Sequence, residues 1–168
     1  MKTMRNNGIT LIELIIVISI IGILAVALGF EFTGWMGKYR AESQIKEMYV
    51  DLMNARARAM QRNRMHFVTL GATQYIVYED TNPAPDGNET LETAPGGDTQ
   101  ILQRNLNPSF SIVWTTASPI RLNTRGLVPL SDTGSIRVAT SLDADYDCIV
   151  IAETRINMGE WNGSCVAK

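Results

Sequence analysis

The chain has 168 residues, 45% of them apolar and 19% charged, with a formal net charge of −2. That is the length of one domain plus an appendage, apolar enough for a packed core and too apolar for wholesale disorder. Two cysteines, one histidine and the lack of a basic excess exclude a disulfide-dense mini-protein, a four-ligand zinc module, any mechanism needing two histidines, and a generally basic nucleic-acid binder.

The charge is unevenly placed. Residues 1–8 hold Lys2 and Arg5 and no acid. Residues 31–64 hold seven bases against four acids, and residues 65–168 hold six bases against twelve acids. The chain therefore reads as a basic tip, an apolar run, a mildly basic stalk and an acidic head.

The apolar run covers residues 9–30 and contains one charge, Glu13. As a helix it spans about 33 Å, close to the hydrocarbon thickness of a bilayer. Lipid leaves such a segment little choice but helix, despite its many β-branched residues. Lys2 and Arg5 ahead of it predict a cytoplasmic N-terminus and place everything after Phe30 outside, in a bacterial cell the periplasm.

Three readings of the run compete. One is a plain membrane anchor. Another is a secretory signal peptide, with Leu14–Leu24 as the apolar region and Ala25-Val26-Ala27 as a small-x-small cleavage site. The third accounts for Glu13. A carboxylate in the apolar layer costs roughly 2.5–3.5 kcal/mol even on the lenient insertion scale, so it needs a partner. A cut between Gly8 and Ile9 supplies one: it creates an α-amine at Ile9 and leaves Glu13 in the first helical turn, where the dipole favours an anion. The amine of an adjacent copy then neutralises the carboxylate in a low-dielectric setting.

The segment Asn7-Gly8-Ile9-Thr10-Leu11-Ile12-Glu13-Leu14 resembles the prepilin signature of type IV pilins and type II secretion pseudopilins. A short basic leader ends in Gly, and a hydrophobic helix follows with Glu as its fifth mature residue. Ile9 stands where the family most often has Phe. The resemblance implies a leader of residues 1–8 and cleavage with N-methylation at Gly8/Ile9 by a prepilin peptidase of the inner membrane. It also implies that Glu13 pairs with a neighbouring subunit's N-terminal amine during filament assembly.

In the stalk, residues 31–64, the helical period persists. Ile45, Met48, Tyr49, Leu52 and Met53 form an apolar stripe, and Ala55, Ala57 and Ala59 sustain helix propensity. One helix is predicted over residues 9–64, with residues 9–30 embedded and residues 31–64 amphipathic and laid on the head. Gly29, Gly34 and Gly37 are its weak points, and Gly22 permits close helix approach. Arg56, Arg58, Arg62 and Arg64 invite a DNA-binding reading. Arg56 and Arg58 lie roughly 200° apart around the helix, however, and cations suit a helix C-terminus without any ligand.

The head, residues 65–168, changes to period two. Strands are predicted at His66–Leu70, Gln74–Tyr78, Ile101–Leu106, Phe110–Trp114, Ile120–Leu122, Ser135–Thr140 and Cys148–Glu153, with a last one near Arg155–Met158. The fold class is α+β, a long helix packed on one mostly antiparallel sheet or two small ones. Residues 80–100 hold three prolines, three glycines, five acids and no base, and read as a mobile acidic loop or a partner-binding one. Asn88-Glu89-Thr90 in that loop matches a glycosylation sequon, to which the prokaryotic context assigns no role.

The segments Leu122-Asn123-Thr124-Arg125-Gly126-Leu127, Gly134-Ser135-Ile136-Arg137-Val138, Cys148-Ile149-Val150-Ile151-Ala152 and Thr154-Arg155-Ile156-Asn157-Met158-Gly159 resemble the type II secretion protein H (GspH/FimT) domain. Between them, the two resemblances cover nearly all the chain apart from the 80–100 loop. Cys148 and Cys165 enclose a loop whose cross-linking removes roughly 3 kcal/mol of unfolded-chain entropy. The inferred compartment is oxidising, so a disulfide tying the C-terminal tail to a strand is predicted; the alternative is two buried or unpaired thiols.

Other constellations fail on spacing. Asp143-Ala144-Asp145-Tyr146-Asp147 begins like a calcium loop, but Cys148 stands where the turn glycine belongs and Thr154 where the bidentate Glu belongs. His66 has no nucleophile elbow to serve. No phosphate loop, dinucleotide fingerprint or metal-spaced His/Cys set is present. The expectation is a non-enzymatic filament subunit without cofactor or metal, single-pass in the bacterial inner membrane with a periplasmic head, and then part of a periplasmic or surface filament. Its expected partners are other pilin or pseudopilin subunits, the prepilin peptidase, the inner-membrane assembly machinery and membrane lipid. Two alternatives stand beside it: a minor pilin that captures DNA for uptake, and a secreted periplasmic protein cut after the apolar run.

Overall fold

A computed structural model describes residues 9–139 and 144–168, with the side chains of residues 27–33 also outside the described set. The predicted leader with Gly8, the end of the apolar run, Gly29, the Thr140 end of a predicted strand and Asp143 of the calcium-like segment therefore lie outside the described residues or side chains. The chain divides into two compact units, Met1–Gly37 and Lys38–Lys168.

Helix α1 runs from Leu11 to Arg62. Thr10 opens it: its hydroxyl accepts the Glu13 N–H at 3.3 Å and its carbonyl accepts the Leu14 N–H at 3.2 Å. The Glu13 N–H, one of the orphan donors at the helix start, is thereby satisfied, the usual service of a threonine cap, and the Leu14 bond is the first regular one of the helix. In the first unit Leu11–Val26 turns an almost wholly apolar surface outward on all sides, with Ile12, Ile16, Ile20 and Leu24 each more than half exposed. Ser19 returns its hydroxyl to the Ile15 carbonyl at 2.8 Å, so this polar group needs no outside partner. Among the described residues no helix is long and apolar enough to cross a membrane; the apolar sequence continues through residues 27–30, whose side chains are not described.

In the second unit the helix is amphipathic. Ala41, Ile45, Met48, Leu52, Ala55 and Ala59 are buried, spaced alternately by four and three, while Val50 on the other side is half exposed. Tyr49 and Met53 of the predicted stripe pack at its margin. The helix stops at Asn63, which adopts φ 52°, and the Arg64 N–H closes on the Ala59 carbonyl at 3.3 Å. A left-handed Asn after the last turn is a common stop signal.

The head is two antiparallel sheets. In the first the strands β1 (His66–Leu70), β2 (Gln74–Glu79), β3 (Thr99–Asn105) and β5 (Ile120–Leu122) are ordered β3-β2-β1-β5. In the second, β4 (Ile112–Trp114), β6 (Gly134–Val138), β7 (Cys148–Ile151), β8 (Ile156–Trp161) and β9 (Cys165–Ala167) are ordered β4-β6-β7-β8-β9. Val68, Tyr75, Val77, Ile120 and Leu122 of the first sheet and Ile112, Ile136, Val138, Ile149 and Ile151 of the second share one core with the helix stripe. The predicted α+β architecture holds, with two sheets.

Several element bounds differ from the sequence reading for local reasons. The predicted strand at Phe110 starts at Ile112, because Pro108–Phe110 form a 3-10 turn whose first N–H group, that of Ser109, is capped by the Asn107 side chain at 2.9 Å. Strand β9 was not foreseen. Residues 80–98 fold around two carboxylates: Asp80 accepts the N–H groups of Asn88 and Glu89 at 3.1 and 2.7 Å, and Asp98 accepts those of Thr81, Asn82 and Glu92 at 3.0, 3.2 and 2.9 Å. Burial, reinforced by the nearby Asp98 and Glu92 charges and opposed by those two hydrogen bonds, raises the Asp80 carboxyl above its ordinary range.

Candidate functional site

At the N-terminal end, Ile9 precedes the helix and is 76% exposed, and Glu13 is the third residue of α1 with its side chain exposed. Thr10-Leu11-Ile12-Glu13 has the spacing of a capping box, a signal the sequence reading passed over. The Thr10 cap occupies the Glu13 main-chain N–H. The carboxylate itself forms no hydrogen bond or ion pair among the described residues and stands in the turn where the helix dipole favours negative charge. It is an anion at the head of an apolar cylinder, available to a cation from outside.

Beyond the first unit, the chain spends its stalk charges on its own head. Asp51, 8% exposed, accepts from the Tyr75 hydroxyl at 2.8 Å and from Arg104 Nε at 3.2 Å, which joins α1 to β2 and β3. Burial, and then the hydrogen bond to that carboxylate, push the Tyr75 phenol well above its ordinary value, so it remains a donor. Arg62 and Arg64 both reach the buried Glu79 carboxylate, at 3.3 Å each. Arg56 donates to the Thr154 carbonyl at 2.9 Å. Three of the four arginines that suggested DNA contact thus have partners within the chain.

The Arg125-Gly126 turn packs on the same stretch of helix. Asn123 accepts the Arg125 and Leu127 N–H groups on its side chain at 3.0 and 2.9 Å. Gly126 takes φ 73°, and a Cβ there would lie 2.9 Å from Met60 Sδ and 3.1 Å from Arg56 Cγ. Only glycine meets both demands without strain.

Cys148 and Cys165 form a disulfide with Cα atoms 6.0 Å apart. It joins β7 to β9 across β8, whose Gly159 is paired with both Cys148 and Ala167. A Cβ at Gly159 would lie 2.2 Å from the Val166 carbonyl oxygen, so the missing side chain is what lets β9 close down. The Arg137 guanidinium lies over the Trp161 ring at 4.4 Å on the same sheet.

His66 is fully buried in β1. Its Nδ1–H donates to the Arg64 carbonyl at 3.1 Å, and its Nε2 has no partner among the described residues. Burial holds the imidazole below its ordinary value, so it is neutral, a packed residue at the turn from stalk to sheet. Among the described residues no group of three or more His, Cys, Asp or Glu side chains is arranged to hold a metal ion.

Comparison with known proteins bears on both ends of the chain. Residues 3–29 match the family model of the prokaryotic N-terminal methylation motif. No curated protein matches the chain by sequence. Among solved structures, the chain is similar to a crystal structure of the minor pseudopilin EpsH from the type II secretion system of Vibrio cholerae, with a TM-score of 0.56 at 10% identity over 74% of this chain and 99% of that one. A second structure of the same Vibrio cholerae pseudopilin gives a TM-score of 0.55 at 10% identity, over 72% of this chain and 97% of that one. At that identity the likeness is one of fold.

Proposed function

We propose that the chain is a minor pseudopilin or minor pilin, a structural subunit of a filament assembled from the bacterial inner membrane. Its work is assembly, not catalysis. The observation that carries this reading is the coexistence, in one chain, of the N-terminal methylation motif over residues 3–29 and a head folded like that of a minor pseudopilin.

The physical sequence of events starts from the geometry. The apolar helix is stored in lipid, which is where an outward apolar surface on all sides is stable. A prepilin peptidase cuts between Gly8 and Ile9 and methylates the new amine. Glu13, costing roughly 2.5–3.5 kcal/mol while unpaired in the apolar layer, gains a cation when a neighbouring subunit's amine comes alongside. That difference between the unpaired and paired states favours entry into the filament. The Thr10 hydroxyl already holds the Glu13 main-chain N–H, and the carboxylate remains to be paired. The head stands in the periplasm, and its disulfide suits that oxidising compartment.

The test is mass spectrometry of the protein extracted from membranes of cells with an active peptidase, together with filament co-purification of Glu13→Ala. The expected mature N-terminus is methylated Ile9, and the variant is expected to be cut and folded yet absent from filaments. Residues 1–8 still attached, or normal incorporation of the variant, would refute the reading.

A further inference from the structure

We propose that Asn88 and Asn162 are acceptor sites for N-linked oligosaccharide, transferred to the head by a bacterial oligosaccharyltransferase. The proposal rests on the reading above only in requiring the head to lie outside the cytoplasm.

Of the eleven asparagines, three begin an Asn-x-Ser/Thr sequence. Asn107-Pro108-Ser109 is barred by its proline, which leaves Asn88-Glu89-Thr90 and Asn162-Gly163-Ser164. Both survivors carry an acidic residue two positions earlier, Asp86 and Glu160, the additional determinant that transferases of the bacterial type read. Each asparagine has an ordinary structural use: Asn88 caps its own turn by accepting the Thr90 N–H at 2.9 Å, and Asn162 opens the β8–β9 hairpin, where Gly163 takes φ 77°. Neither use calls for a carboxylate two residues back, and only the Asn88 turn engages the hydroxyl two residues on. The full pattern nevertheless occurs twice.

The structure places both sites where an external enzyme can reach them. Asn88 and Asn162 are exposed, each on a connection between strands. The Asp80 carboxylate holds the Asn88 and Glu89 main-chain N–H groups, and a Cβ at Gly87 would collide with it at 1.9 Å, so this stretch of chain is anchored from behind. The Asn88 Nδ2 donates to Glu92 Oε1 at 2.7 Å, while its Oδ1 accepts from the Thr90 hydroxyl. The carboxylate accepting from the amide N–H raises the electron density on nitrogen, while the hydroxyl on the amide oxygen holds the amide plane in one orientation. A substituted Nδ2 keeps one N–H, so the bond to Glu92 survives modification.

The co-reactant is a lipid pyrophosphate-linked oligosaccharide. The amide nitrogen attacks C1 of the reducing-end sugar, the N–C1 bond forms and the C1–O bond to pyrophosphate breaks. The lipid pyrophosphate leaves with the electron pair, and one Nδ2 proton passes to a base on the transferase. Nothing is oxidised or reduced.

The experiment is intact-mass and peptide mass spectrometry of the full chain from its own host, with protease access to spheroplasts reporting where the head lies. Two glycan increments are expected, one on each asparagine-bearing peptide. Asn88→Gln and Asn162→Gln are each expected to lose one increment, and Thr90→Val to lose the Asn88 increment with the asparagine intact. Unmodified peptides on an exported head overturn the proposal and leave the filament reading standing. A head protected inside the cytoplasm overturns both.

Discussion

Arg121→Met tests how the head is tied together beside the β5 edge. Asp132 is 1% exposed, and its carboxylate receives Arg121 Nε and Nη2, both at 2.7 Å, the Arg121 N–H at 3.1 Å and the Ser131 hydroxyl at 2.7 Å. Methionine keeps the aliphatic stem and the main-chain donor but removes both guanidinium bonds. Hydrogen bonds to a charged group contribute about 1.5–3 kcal/mol each, and stranding a buried carboxylate costs about 3–5 kcal/mol. The Arg121 side chain is 41% exposed, so water screens part of the pair and the Ser131 and main-chain donors remain. The expected loss at pH 7 is about 2 kcal/mol.

The pH dependence carries the sharper signature. The Arg121 guanidinium holds the Asp132 carboxyl below its ordinary value, against the opposing effect of burial. A depressed carboxyl contributes stability that is present above the unfolded pKa, about 3.9, and is lost as pH falls through the lower folded value. In the variant, burial acts without its main opponent and protonation relieves the stranded charge. The gap between wild type and variant should therefore narrow as pH falls from 5 to 3. Urea unfolding of the detergent-solubilised full chain, followed by tryptophan fluorescence, measures it. A gap below about 0.5 kcal/mol at pH 7, the ordinary surface range, or one that widens towards pH 3, refutes the reasoning.

The other expectations concern the tail and the buried imidazole. Replacing Cys148 and Cys165 together by serine opens a cross-link spanning 17 residues and should cost about 3 kcal/mol in the same unfolding assay. Gly159→Ala sets a methyl against the Val166 carbonyl; overpacking of this kind costs about 1–3 kcal/mol, and the disulfide should be reduced faster by added dithiothreitol. Wild-type stability and reduction rate in that variant would count against the notch. The lowered pKa of His66 means that the unfolded chain binds the proton more readily, so stability should fall as pH drops below about 6.5. His66→Asn should flatten the slope of stability between pH 7 and 5, and an unchanged slope would assign it to other groups.

Much of the architecture was legible locally. The spacing of Ile45, Met48 and Leu52 already marks a helix with one buried face, and alternation at His66–Leu70 and Gln74–Tyr78 marks strands, because side-chain direction follows backbone period. Asn63 and the Asn107–Pro108 cap were equally local signals, though less conspicuous ones. The cysteine pair was read correctly from spacing and compartment. Glu13 stood out because a lone acid in an apolar run is physically expensive, and the Thr10 cap beside it was visible in four letters.

What no local pattern contains is the identity of a partner far along the chain. Arg62 and Arg64 look like a solvated or DNA-facing row until β2 brings Glu79 beneath them. Asp80 and Asp98 look like loop charge until their carboxylates gather the main-chain N–H groups of the same loop. Strand β9, three residues long, carries too few alternations to announce itself. It exists because Gly159 leaves room for the Val166 carbonyl and Cys148 holds Cys165 in place. Periodicity and an isolated buried charge are properties of the chain and can be read along it. Strand order, ion-pair partners and the fit of one backbone against another depend on residues tens of positions apart meeting in space, and only the tertiary structure decides them.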